Sequence, residues 1–289
     1  MVLLESGESC LACKPVTSLN DQTMLAPGLD KSNCRHPAGS SWLPQAVRRI
    51  MLSVQATLRP RIKICCISTV DEAMLAIQCG ASAVGLVSAM PSGPGVISEE
   101  QIANIAARVP PPIGSFLLTS LQDTEAIIAQ QRRCRTNAVQ IVDRLARGSY
   151  ADLRRALPGI SIVQVVHVTG PESVNEAAEV APYVDAILVD SGNPKLTKKE
   201  LGGTGRKHNW ALSRQIRELI GVPLFLAGGL NPQNVGQAVD EVGAFGLDVC
   251  NGVRRSEKLD GEKLRTLFTN VASLQGSARS ANEALQEQP

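Results

Sequence analysis

The chain has 289 residues, 44% of them hydrophobic and 19% charged, and 29 Lys and Arg against 27 Asp and Glu leave a formal net charge of +2. That balance excludes a disordered chain and offers no general basic field for a nucleic-acid backbone. With only 2 Trp, 2 Tyr and 4 Phe, aromatic platforms for stacking bases are excluded as well. The core must be built from Val, Ile, Leu and Ala, the composition of buried parallel strands and the helices that cover them.

Residues 1–58 keep no period of 2 or 3.6 and are interrupted by Pro15, Pro27, Pro37 and Pro44, with Gly7, Gly28 and Gly39 between them. They are expected to form a poorly ordered N-terminal extension, and Met51 is expected to be the true start. Cys10, Cys13, Cys34 and His36 are zinc-type residues, but C-x-H is an unusual second half for such a site, so no metal is expected there. No apolar run reaches the roughly 18 residues of a spanning helix, and no basic-then-apolar signal opens the chain. A cytoplasmic protein with its eight cysteines as free thiols is the expectation.

From Arg61 the texture becomes regular. Short β-branched runs at 62–67, 83–86, 114–118, 138–142, 161–166, 186–189, 223–227 and 246–249 alternate with amphipathic stretches of about ten residues, which makes eight β/α units. The runs are continuously apolar, as in strands buried on both faces, and about 210 residues accommodate eight minimal units. The predicted fold is therefore a (β/α)8 TIM barrel, an eight-stranded parallel α/β architecture, over residues 59–273. Residues 274–289 are predicted to be a frayed tail. A doubly wound sheet is the rival, but the first strand is followed by Ile67-Ser68-Thr69-Val70-Asp71, without the G-x-G-x-x-G turn.

Barrel active sites are assembled at the C-terminal ends of the strands. Strand one runs into Lys63-Ile64-Cys65-Cys66, and strand six closes on the carboxylate of Asp190 where a structural position would more often stay apolar. Three glycine-bearing loops follow strands six to eight: Gly202-Gly203-Thr204-Gly205, Gly228-Gly229-Leu230-Asn231 and Cys250-Asn251-Gly252. Glycine admits close backbone approach, Thr204 adds a hydroxyl, and a helix starting after Asn231-Pro232 points its positive end the same way, so a phosphorylated ligand is expected.

Together, Lys63-Ile64-Cys65, Val189-Asp190, Gly202-Gly203-Thr204-Gly205 with Trp210, the string 226–235 (LAGGLNPQNV) and Asp248 with Gly252-Val253 resemble the phosphoribosylanthranilate isomerase family. The resemblance covers residues 61–271. It implies an Amadori rearrangement in tryptophan biosynthesis with no metal or cofactor, Asp190 as general acid and Cys65 as general base. The substrate phosphate would lie on Gly203, Thr204, Gly205, Gly228, Gly229 and Gly252, with Lys63, Gln140 and Arg144 as further substrate contacts. A thiolate base needs a lowered pKa, for which Lys63 or a helix N-terminus would be the cause. The chain departs from the family pattern at three places. Cys66 stands where the family has glycine, Gly95 where it has the arginine that grips the anthranilate carboxylate, and Val142 where it has a histidine. These departures keep two alternatives open, a divergent barrel for another phosphorylated sugar and a non-catalytic phosphometabolite binder. An aldolase would need a Schiff-base lysine, for which Lys63 is the candidate. The expected partner is a phosphorylated small molecule, with no nucleic acid and no membrane, and the protein is expected to be a monomer or homodimer.

Overall fold

The computed structural model describes residues 60–286, with side chains through Leu274. The N-terminal extension with Met51 and the Cys10, Cys13, Cys34 and His36 set therefore lie outside the described residues. The described chain alternates strand and helix: β1 (Arg61–Ile64), α1 (Val70–Gln78), β2 (Ala83–Val87), α2 (Glu99–Ala106), β3 (Gly114–Thr119), α3 (Thr124–Cys134), β4 (Ala138–Ile141) and α4 (Tyr150–Ala156). It continues with β5 (Ser161–His167), α5 (Glu172–Val180), β6 (Ala186–Asp190), α6 (Trp210–Leu219), β7 (Leu224–Leu226), α7 (Val235–Val242) and β8 (Gly246–Val249). A two-residue antiparallel pair, β9 (Arg254–Arg255) and β10 (Lys258–Leu259), precedes the last helix, α8 (Gly261–Gln286), which runs on past Leu274.

The eight parallel strands close into a barrel in chain order, β1 pairing with β8 from Arg61↔Gly246 to Ile64↔Val249. Alternate side chains point opposite ways along a strand. Ile64, Leu86, Leu117, Ile141, Ile162, Ile187, Leu226 and Val249 pack outward in one cluster with the helices, while Val87, Leu118, Val163, Val165, Leu188 and Phe225 form a second cluster inside. Both faces of each strand are thus covered, which is why the sequence shows continuous apolar runs rather than alternation.

Helices start cleanly after the strands because short polar caps take their free N–H groups. Thr69 accepts from the Glu72 amide, Ser98 from Gln101, Asp123 from Ala126 and Ser149 from Asp152. Strand boundaries differ from the sequence expectation chiefly at β1, which ends at Ile64 rather than residue 67. Cys66 adopts a left-handed φ of 62°, which a strand cannot continue through, although the Cys65 amide still donates to the Val249 carbonyl at 2.8 Å. His167 closes β5 instead of lying beyond it. Among the described residues no helix is long and apolar enough to cross a membrane.

Candidate functional site

A cavity of about 250 Å³ opens at the C-terminal ends of the strands and is lined by Cys65, Gln140 and Asp190 together with the loops after β6, β7 and β8. Nine of the eleven residues singled out from the sequence line it: Cys65, Gln140, Asp190, Gly203, Thr204, Gly205, Gly228, Gly229 and Gly252. Lys63 and Arg144 do not.

Cys65 is 5% exposed on the first residue after β1. Its thiol pKa is lowered, first by a hydrogen bond from the neighbouring Cys66 and further by the charge of Lys63, against burial and the Asp248 carboxylate, which pull the other way. Lys63 is thus the lesser cause, not the main one as expected. Nor does it face the cavity. It is wholly buried in the barrel interior, with Nζ 2.9 Å from Asp248 Oδ1 and 5.4 Å from the Phe116 ring centre. Burial alone would lower its pKa, but Asp248 outweighs that and raises it, so Lys63 is a charged partner sealed under the floor. A lysine held in that state cannot form a Schiff base, which removes the aldolase candidate. The direct-contact role expected for Lys63 gives way to an indirect one.

Asp190 ends β6, 7% exposed, in register with His167 on β5. Its Oδ1 accepts from the Ser191 amide at 2.7 Å, and a side chain on Gly202 would come within 2.9 Å of Oδ2. His167 donates through Nε2 to the Val142 carbonyl at 2.9 Å, because a carbonyl only accepts.

The three glycine loops are locked to one another by the contacts that glycine permits. A Cβ on Gly252 would lie 2.0 Å from the Leu230 carbonyl oxygen, and one on Gly229 would lie 2.9 Å from the Arg206 carbonyl carbon. Asn251 Nδ2 donates to the Gly203 carbonyl at 3.0 Å, and Ser191 and Thr204 hydroxyls meet at 2.7 Å. Asn234, ahead of α7, donates to the Gly229 carbonyl at 2.9 Å. The result is a rim of backbone and neutral polar groups, and among the described residues lining the cavity there is no Lys, Arg or His.

Two of the departures from the family pattern are one structural event. Gly95 has φ +78°, and a Cβ there would sit 2.5 Å from Cys66 Cβ. Cys66 therefore fills the volume that a side chain at 95 would need. An arginine at 95 and a cysteine at 66 exclude each other. Arg144 does not replace the missing cation. Its guanidinium turns out to solvent and pairs with Glu176 at 2.9 Å, so the expectation of a substrate contact there is corrected: a partner on α5 draws it off the rim. Gln140 does face the cavity, 3% exposed, with Oε1 lacking a hydrogen-bond partner.

Sequence reasoning gave no site role to Ser92, Leu201 or Cys250, which also line the cavity. Asp248 was visible only as part of a motif. A carboxylate between Leu247 and Val249 was the signal that a buried cation had to lie opposite. Arg254 was missed entirely. Its Nη2 donates to the Cys66 carbonyl at 2.5 Å and the Cys65 carbonyl at 3.3 Å, while Nη1 pairs with Glu72 at 3.1 Å. No group of three or more His, Cys, Asp or Glu side chains among the described residues is arranged to hold a metal ion.

Fold and cavity together define a (β/α)8 barrel with its chemistry-bearing side chains at the C-terminal mouth, the place where such barrels carry catalysis. Residues 62–270 match the family described as N-(5'phosphoribosyl)anthranilate (PRA) isomerase. The chain is 34% identical over 203 residues to N-(5'-phosphoribosyl)anthranilate isomerase 2 of Methanosarcina mazei, covering 70% of this chain and 89% of that protein. It is 36% identical over 204 residues to the isomerase of Halobacterium salinarum, with the same 70% and 89% coverage. The crystal structure of phosphoribosyl anthranilate isomerase from Thermotoga maritima superposes with a TM-score of 0.62 at 28% identity, over 74% of this chain and 99% of that one. The chain belongs to the phosphoribosylanthranilate isomerase family.

Proposed function

We propose that the protein converts N-(5-phosphoribosyl)anthranilate to 1-(2-carboxyphenylamino)-1-deoxyribulose 5-phosphate, the isomerisation of tryptophan biosynthesis, with Asp190 as general acid and Cys65 as general base. The observation that carries this reading is the meeting of a lowered-pKa thiol and a strand-end carboxylate in one cavity beside three interlocked glycine loops. Asp190 gives its proton to the furanose ring oxygen as the bond from that oxygen to C1′ breaks, leaving a protonated imine between C1′ and the anthranilate nitrogen. The Cys65 thiolate takes the C2′ proton, and its C–H electrons become the C1′=C2′ double bond of an enolamine. Tautomerisation then moves the enol proton to C1′ and leaves the ketone at C2′. Only protons and bonding electrons move, so the balance closes without a redox partner.

The phosphate is placed on the amides of Gly203, Thr204, Gly205, Gly228, Gly229 and Gly252, where φ > 0 at Gly203, Gly205, Gly228 and Gly229 is adopted at least steric cost by glycine. Gln140 is placed against the substrate through its free Oε1. The protein is proposed to act in the cytoplasm as a monomer or homodimer, which fractionation and light scattering would check.

The test is fluorescence-monitored turnover of phosphoribosylanthranilate by the purified chain beside Cys65→Ser and Asp190→Asn. Turnover lost in both variants supports the assignment. Turnover that survives either substitution removes that residue's role, and no turnover by the native chain removes the substrate. A second reading keeps the chemistry and changes the aglycone, favoured by Cys66 filling the space at Gly95 and by the cation-free lining. It requires the carboxylate-free analogue, N-(5-phosphoribosyl)aniline, to turn over at least as well.

A further inference from the structure

Three cysteines meet where the first and last strands close the barrel, and the proposed reaction uses only one of them. Cys250 Sγ donates to Cys66 Sγ at 2.7 Å, across 184 residues of sequence. Both thiols are free, and both line the cavity. Cys66 is 5% exposed, whereas Cys250 is partly open to the mouth. We propose that Cys66 and Cys250 are a reversible disulfide site for a peroxide that enters the cavity.

The geometry supports closure. A disulfide bond is about 2.05 Å long, so the sulfurs have less than about 1 Å left to travel. The strands beneath them are already paired at Ile64↔Val249, which holds the two ends side by side. The pair is also held from behind, since Arg254 fixes the Cys66 carbonyl and Cys250 leads into the short helical turn Asn251–Val253. Of the other described thiols, Cys65 is the base of the proposed reaction. Cys134 is sealed in the core, where burial pushes its pKa up to about 12 and keeps it unreactive.

The chemistry balances in two steps. The Cys250 thiolate attacks one oxygen of hydrogen peroxide, the O–O bond breaks, and the departing hydroxide takes a proton to leave as water, giving the sulfenic acid. Cys66 sulfur then attacks the Cys250 sulfur, the S–O bond breaks, and the Cys66 proton leaves with that oxygen as a second water. Two thiols are oxidised by two electrons and one peroxide is reduced to two waters. Hydrogen bonding with Cys250 and then Cys65, with burial behind them, raises the Cys66 pKa, which slows the second step, and fixed proximity offsets that. Once oxidised, Cys66 has no proton to share with Cys65, so the largest cause of the lowered Cys65 pKa disappears. The consequence for turnover rests on the isomerase reading. The cross-link itself does not.

The experiment treats full-length native chain and the Cys65→Ser chain with hydrogen peroxide, blocks residual thiols, and maps cysteines by peptide mass spectrometry with fragmentation between residues 65 and 66. Both chains are expected to yield a Cys66–Cys250 cross-linked peptide pair, reversed by dithiothreitol. In the native chain turnover is expected to fall about tenfold, as for loss of a hydrogen bond to a charged group, and to return on reduction. A cross-link absent from both chains, or one that vanishes in Cys65→Ser because Cys65 was its partner, overturns the proposal. A cross-link formed in a chain with no turnover upholds the site and overturns only the isomerase reading.

Discussion

Replacing Lys63 by methionine removes one half of an ion pair that the barrel has buried almost completely. Lys63 is 0% exposed and the Asp248 side chain 7%, with 2.9 Å between them. Methionine roughly conserves the aliphatic volume beside Phe116 and Gly85 but leaves the Asp248 carboxylate without a counter-charge. Breaking such a pair from one side costs about 3–5 kcal/mol, a large part of the roughly 5–15 kcal/mol that holds a domain folded. The double variant Lys63→Met/Asp248→Leu removes the charge altogether and is expected to recover most of the loss, because buried pairs are often no better than well-packed apolar groups. Urea unfolding of native, single and double variants measures this directly. A single-variant loss below about 1 kcal/mol, or a double variant no more stable than the single, would refute the claim that the pair is buried and mutually dependent. The same substitution has a catalytic sign. Lys63 lowers the Cys65 pKa and Asp248 raises it, so losing Lys63 alone moves the thiol upward, and the rising limb of the pH–rate profile should shift to higher pH. A limb that stays put or moves down would show that Lys63 does not act on Cys65.

Other outcomes follow from the same contacts. Gly95→Arg is expected to destabilise the native chain, because its Cβ would meet Cys66 Cβ at 2.5 Å, and Cys66→Gly should recover part of that loss; additive effects in a double-mutant unfolding cycle would contradict the exclusion of one by the other. Gly252→Ala drives a Cβ to 2.0 Å from the Leu230 carbonyl oxygen and should raise the KM for the phosphorylated substrate. Gly148→Ala, at φ +79° where an added Cβ would run into Thr124 Oγ1, should cost about 1–3 kcal/mol of stability with KM unchanged. His208 is pulled by burial to about 4 from 6.5. It stays neutral in the folded state while the unfolded chain protonates, so its contribution is complete above pH 6.5 and is lost as pH falls toward 4. His208→Gln should flatten that decline by roughly 3 kcal/mol when urea midpoints are compared across the window, and parallel native and variant profiles would disprove it.

Much of the barrel was legible in the sequence because the information is local. Eight apolar runs, each followed by an amphipathic segment, specify strands buried on two faces whatever their partners are, and all eight strand starts fall within one residue of the expected ones. The glycine loops and the Asp190 strand end were legible for the same reason, since turn chemistry and strand termination are written in neighbouring residues. Even so, the loop glycines carry more than their local pattern indicated, for Gly229 and Gly252 are required by backbone from other loops.

What only the tertiary structure decided are the pairings across the barrel seam. Closing β1 on β8 puts Lys63 opposite Asp248, 185 residues apart, and Cys66 against Cys250, 184 apart. No window of sequence contains both members of either pair. The same is true of Arg144, whose partner on α5 takes it from the rim, and of Cys66, whose side chain occupies the space above Gly95. Local sequence sets each element's conformation and which way its side chains alternate, whereas what a side chain touches, and so its charge state and its reach to a ligand, is fixed by register and closure.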